Sequence, residues 1–165
     1  MFFWSRINRM TNCHNITGSF NQRNSKIGWL EWHSLNYLFY LCGNDCWIRY
    51  ENNMITVAEI EAQAAGNLRN SFSVVGLLHE STSFFEMIHK RIDYVDMNKE
   101  MTISKDQRHS SGNGQTQIDC KNLYATNVEF RERVRLTVPT FAALERVYNI
   151  GVEVNRFQKE ELRQY

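Results

Sequence analysis

Residues 72–78 read Phe-Ser-Val-Val-Gly-Leu-Leu, which is the most apolar block of the chain, and polar residues flank it on both sides. Its β-branched valines favour a strand. A nearly continuous apolar run is also typical of a strand that is buried on both faces, as in a parallel sheet. The block therefore predicts one buried β-strand.

A helix is expected on each side of this strand. The first runs from Thr56 to Asn70, and Thr56 with Glu59 has the spacing of a capping box, in which each residue satisfies a backbone N–H of the other. The second runs from 83 to 92, where Ser83 and Glu86 repeat that spacing. Helix–strand–helix is the pattern of an α/β protein.

The end of the predicted strand carries His79 and Glu80. In α/β proteins the carboxyl edge of a sheet is where ligand sites form, so both side chains are candidates for ligand contact. The other interpretation is that they only lead the chain out of the strand and help to cap the next helix.

Three further helices complete the prediction: 29–40, which is rich in aromatic residues, 127–136, and a long one from Pro139 to about Leu162. Proline is favoured in the first turn of a helix. Residues 1–28 carry four basic side chains and no acid, which indicates a polar basic arm, and residues 29–165 form one domain. The fold class predicted is α/β, mostly helical, with one buried strand.

The overall composition excludes several classes of protein. The formal net charge is +1, which gives no case for nucleic acid or for a membrane surface. No apolar run reaches the length of a transmembrane helix. Asn15 begins an Asn-Ile-Thr sequon, which would be glycosylated if the chain enters the secretory pathway.

Two cysteines stand four residues apart, at Cys42 and Cys46, with Gly-Asn-Asp between them. This spacing can close a small disulfide loop. Inert thiols are a second interpretation. Half of a zinc site, with His33 and His14 as further ligands, is a third, but the usual second close pair of ligands is missing. The spacing favours the disulfide, and we expect no metal.

A long polar stretch from 98 to 117 contains Lys105, Arg108, Ser110 and Ser111 beside two glycines. Cationic and hydroxyl donors of this kind suit a phosphate or a sulfate group. A solvated loop without ligand is the alternative.

Three blocks together resemble a carbohydrate sulfotransferase family, the one that includes heparan-sulfate 2-O-sulfotransferases and algal relatives. The blocks are 41–47, with its Cys-Gly…Cys-Trp pattern, 64–80, a helix followed by Phe-x-Val-Val-Gly and an acidic residue, and 144–152, which is similar to the family's C-terminal helix. The resemblance implies the C-terminal portion of a P-loop-like α/β fold. It also implies an enzyme that transfers sulfuryl from 3′-phosphoadenosine-5′-phosphosulfate (PAPS) to a carbohydrate hydroxyl.

The same resemblance implies further properties. A loop that closes over the donor would contact it through Lys105, Arg108, Ser110 and Ser111. The protein would be located in the Golgi or elsewhere in the secretory pathway, and its full-length relatives would be membrane-anchored. The family's 5′-phosphosulfate loop and 3′-phosphate motif are not found in the 165 residues. We therefore expect an incomplete or truncated form without useful activity by itself. Two alternatives are a non-catalytic remnant that binds a glycan or a protein and, less favoured, a small metal-binding module.

Overall fold

The computed structural model describes residues 28–77, 80–92 and 120–164, and these ranges are mostly helical, as predicted, with no β-strand. Their seven helices are α1 Trp29–Cys42, α2 Asn44–Glu51, α3 Val57–Asn70, α4 Ser81–Arg91, α5 Cys120–Thr126, α6 Val128–Thr137 and α7 Pro139–Glu161. None of these helices combines the length and the apolar character needed to cross a bilayer. Nearly all of the predicted basic arm and the whole polar stretch 98–117 lie outside the described residues.

The main core lies where α1, α3 and α7 pack against one another. Leu38, Ile60, Ala64 and Val147 meet there with no more than traces of exposed surface. Burying a large aliphatic side chain contributes about 1.5–3 kcal/mol to the free energy of unfolding, so this contact stabilises the packing of the three helices.

A second apolar cluster joins α5 and α6 to the first turn of α7 and to the start of α1. It contains Leu30, Tyr124, Phe130, Val134, Val138 and Phe141. The rings of Tyr124 and Phe141 meet edge to face, with centroids 5.5 Å apart, a geometry that aromatic pairs favour.

The turn between α1 and α2 requires a glycine, because Gly43 adopts φ 119°, a conformation that side-chain-bearing residues rarely adopt. The last carbonyls of α1 would lack partners at this end. Two amides of α3 satisfy them: Gln63 Nε2 donates to Cys42 O (3.0 Å), and Asn67 Nδ2 donates to Leu41 O and Cys42 O (2.9 Å each).

The starts of three helices follow their local sequence. Thr56 and Glu59 form the predicted capping box, with Glu59 N donating to Thr56 Oγ1 at 3.3 Å and Thr56 N to Glu59 Oε2 at 2.7 Å. Asn127 caps α6 by accepting from Phe130 N at 2.8 Å. Pro139 is the first residue of α7, which confirms the predicted long C-terminal helix.

The predicted start of α4 is wrong. The helix begins at Ser81, and the residue before it is Glu80, so Ser83 lies inside the helix rather than at its cap. The Ser83 hydroxyl instead donates to Glu80 O at 3.0 Å. Ser83 and Glu86 therefore do not form the predicted capping box, although they have its spacing.

The strand predicted at 72–78 is not formed by residues 72–77, which hold neither helix nor strand. The predicted burial holds in part, since Val75 and Leu77 are buried and Val74 is half-buried. The physical reason is that this backbone bonds to side chains of α7 instead of to a neighbouring strand. At Gly76 the ring of Phe84 packs so closely that a Cβ atom would overlap it.

Candidate functional site

A groove of about 540 Å³ opens where the C-terminal parts of α3, α4 and α7 meet. Its lining residues are Arg69, Asn70, Ser71, Phe72, Ser73, Arg91, Glu153, Val154, Phe157, Gln158 and Glu161. The α7 residues recur at spacings of three and four, which places them on one face of that helix. The groove thus combines donors, carboxylates and aromatic surface.

Two buried amides of α7 hold the 72–75 segment that forms one wall. Val75 N donates to Gln158 Oε1 at 2.8 Å, and Asn155 Nδ2 donates to Val75 O at 2.7 Å. Gln158 Nε2 also lies 3.3 Å from both Phe72 O and Ser73 O. Buried backbone groups need partners, and here two amides supply what a neighbouring strand would otherwise supply.

Arg91 closes the groove from α4. Its Nη1 donates to Ser73 O at 3.2 Å, and its Nη2 forms an ion pair with Glu161. Its Nε is buried and has no hydrogen-bond partner among the described residues. A carboxylate of the same chain therefore occupies one donor of the guanidinium.

Arg69 and Glu153 are exposed groove residues, and within the described residues neither makes an ion pair or a side-chain hydrogen bond. Phe157 is 67% exposed, so an apolar ring lies open to solvent beside these charges. Two arginines and two glutamates line the groove in total, so its attraction for a ligand depends on local placement rather than on net charge.

The helix ends set the local electrostatics. Arg69 lies in the last turn of α3 and Arg91 in the last turn of α4. The carboxyl end of a helix carries partial negative charge, which stabilises a cation there. Both arginines thus lie at a point where three helices end.

A separate polar cluster joins α5, α6 and α7 outside the groove. Arg135 Nε donates to Glu145 Oε2 at 2.8 Å, and the Tyr124 hydroxyl lies 3.1 Å from both oxygens of that carboxylate. Burial, and then the charge of Glu145, raises the pKa of Tyr124 to about 12. A phenol with this pKa stays protonated at neutral pH, and the Glu145 carboxylate joins it to Arg135 across the three helices.

The cysteine pair lies in the main core. The Sγ atoms of Cys42 and Cys46 are at the distance of a disulfide bond, with Cα atoms 6.2 Å apart, and both residues are almost wholly buried. No group of three or more metal-binding side chains converges anywhere in the described ranges. Whether the pair is oxidised in the protein as made stays a prediction.

The other residues singled out from sequence have different outcomes. Seven of them lie outside the described residues: Lys105, Arg108, Ser110, Ser111, Asn15, His14 and His79. Glu80 is described, and it forms an ion pair with Lys159 of α7. Nothing in the described part brings it to the groove.

Four residues that matter in the structure were missed from sequence: Arg69, Arg91, Asn155 and Gln158. Only the last two carried a local signal. They follow Val147 and Gly151 at helical spacings of four and three, which places them on the buried face of α7. The two arginines looked like ordinary helix-end cations.

Comparisons of the chain with protein-family models, with curated proteins and with solved structures found no match. What the protein does must therefore be inferred from its residues and their geometry.

Proposed function

We propose that the groove binds an acidic glycan, with a sulfate or carboxylate group taken up by Arg69 and Arg91, and that this part of the chain is a binding module. The observation that carries the proposal is Arg69, an exposed arginine without an ion pair in the described residues, in the same groove as Arg91. Planar guanidinium groups bind carboxylate and sulfate-like oxyanions through paired hydrogen bonds.

The remaining lining suits a sugar. The exposed ring of Phe157 offers an apolar face to the C–H face of a pyranose. Asn70, Ser71 and Glu153 offer donors and acceptors to ring hydroxyls. A cleft with apolar surface and a few directed polar groups is the usual form of a small-molecule site.

Sulfotransferase activity is the second candidate. The resemblance of three sequence blocks supports it, and the cysteine pair at disulfide distance agrees with the Cys-Gly…Cys-Trp loop of that resemblance. This proposal includes the α/β sulfotransferase fold, PAPS as donor and Golgi localisation. It also includes contacts to the donor from Lys105, Arg108, Ser110 and Ser111. In such an enzyme the groove would hold the acceptor, so the two candidates share one ligand class.

Calorimetric titration of the purified chain with a sulfated disaccharide tests the binding proposal. Arg69→Gln should weaken binding by about tenfold or more, because a charge-assisted hydrogen bond contributes roughly 1.5–3 kcal/mol. Arg156→Gln is the matched control. Arg156 is an exposed arginine of α7 that does not line the groove and that makes no ion pair in the described part. Equal losses in the two variants would mean that the attraction is general and not located at the groove.

Incubation with labelled PAPS and desulfated glycans tests the second candidate. We expect no useful turnover from this chain alone, because orienting the reactants can contribute on the order of 7–11 kcal/mol of barrier lowering, and the donor-binding motifs are not recognised in its sequence. Turnover that disappears in Arg108→Gln would contradict this expectation and would indicate a complete donor site.

A further inference from the structure

One of the two cations assigned to the ligand is already engaged by an acidic side chain of the same protein. Glu161, the last residue of α7, forms an ion pair with Arg91 Nη2. The contact uses a single carboxylate oxygen, and Arg91 Nε is buried without a partner in the described part of the chain. Within the described residues, both terminal nitrogens of the guanidinium therefore have partners and its Nε has none.

The geometry makes Glu161 a replaceable occupant. Its side chain is 44% exposed and lies at the end of its helix, so it can rotate into solvent. Exposed ion pairs contribute little to stability, because solvent screens them and both side chains lose freedom. An oxyanion of the ligand can take the same place on Nη2, because Glu161 is held there through one carboxylate oxygen only.

Displacement of Glu161 would leave α4 attached. Glu80, just before α4, pairs with Lys159, and Lys90 Nζ donates to Leu162 O at 3.3 Å. Arg91 Nη1 also keeps its hydrogen bond to Ser73 O. The exchange can thus occur at one side chain without unfolding the wall of the groove.

We propose that Glu161 is an autoinhibitory anion: it occupies the Arg91 subsite and competes directly with the acidic group of the ligand. The inference rests on the proposed function of the groove. It adds that binding is weaker in the unmodified protein than the two arginines alone would give.

Glu161→Gln tests this competition, and Glu160→Gln is its control. Glu160 is the adjacent exposed glutamate, its loss changes the net charge equally, and it does not line the groove. Titration with inorganic sulfate and with a sulfated disaccharide should show affinity about two- to fivefold tighter for Glu161→Gln, a gain in the range of an exposed ion pair. Glu160→Gln should stay close to the unmodified protein.

The outcomes separate the two ideas. If the unmodified chain binds and Glu161→Gln binds no tighter than Glu160→Gln, the autoinhibitory contact is wrong while the groove stands. If no variant binds either probe, both are wrong. A gain in Glu161→Gln that persists when Arg91→Gln is added would also overturn the inference, because the competition requires Arg91.

Discussion

Replacing Asn155 with leucine removes one of the two side chains that hold the wall of the groove. Asn155 is 2% exposed, and its Nδ2 donates to Val75 O at 2.7 Å. Leucine has the same branched arrangement of heavy atoms but no donor, so the carbonyl would stay buried without a partner. Leaving a buried acceptor unsatisfied costs about 1–3 kcal/mol of the free energy of unfolding.

Leucine is also the better helix former, which offsets part of that cost by roughly 0.5 kcal/mol. Asn149→Leu is the control for this term, because Asn149 lies on the same helix, is exposed, and makes no side-chain hydrogen bond in the described part. The difference between the two variants isolates the lost hydrogen bond. We expect Asn155→Leu to be less stable than Asn149→Leu by about 1–3 kcal/mol.

Urea unfolding followed by circular dichroism measures this difference, provided that the slope with denaturant is the same in both variants. A difference below about 0.5 kcal/mol would refute the reasoning, because it is within the usual range of surface substitutions. It would mean that the 72–75 segment does not depend on the amides of α7.

Three further predictions concern the fold. Gly76→Ala should lower the free energy of unfolding by about 1–3 kcal/mol, because the new methyl group would overlap the aromatic ring of α4 that packs on this glycine. Gly66→Ala, in open space within α3, should raise it by about 0.5–1 kcal/mol. Equal effects of the two substitutions in urea unfolding would contradict the close packing at Gly76. Thiol counting under denaturing conditions should find Cys42 and Cys46 unreactive until reductant is added, in protein from a secretory host; free thiols at both would disprove the disulfide. The raised pKa of Tyr124 means that the folded state favours the protonated phenol. Its contribution to the free energy of unfolding is present below the ordinary pKa of about 10 and is lost as the pH rises through about 12. Tyr124→Phe should remove that loss, and a variant with the same profile of stability against pH as the unmodified protein would contradict the prediction.

Local signals predicted local structure well. The Thr56 capping box and Pro139 at the start of α7 are decided by residues within one turn, so their physics is visible in a short window. The Ser83 pattern failed because the same spacing occurs inside a helix when an earlier residue starts it. Spacing identifies a possible cap, and the chain before it decides whether the cap is used.

The predicted strand shows where sequence reasoning stops. Val74 and Val75 have the character of a buried strand, and burial of Val75 is observed. What bonds their backbone is a tertiary matter, since Asn155 and Gln158 are about 80 residues away in the chain. The groove was missed for the same reason, because Arg69 and Arg91 line one groove only in the folded chain.

Amide NMR spectra recorded during titration with a sulfated disaccharide test the central claim most directly, because they locate the ligand as well as detect it. We predict saturable shifts that concentrate in residues 69–73, around Arg91 and in residues 153–161. In Arg69→Gln these shifts should need about tenfold more ligand to reach saturation, whereas Arg156→Gln should match the unmodified protein. Spectra that do not change at saturating ligand, or shifts that concentrate away from these residues, would contradict the account.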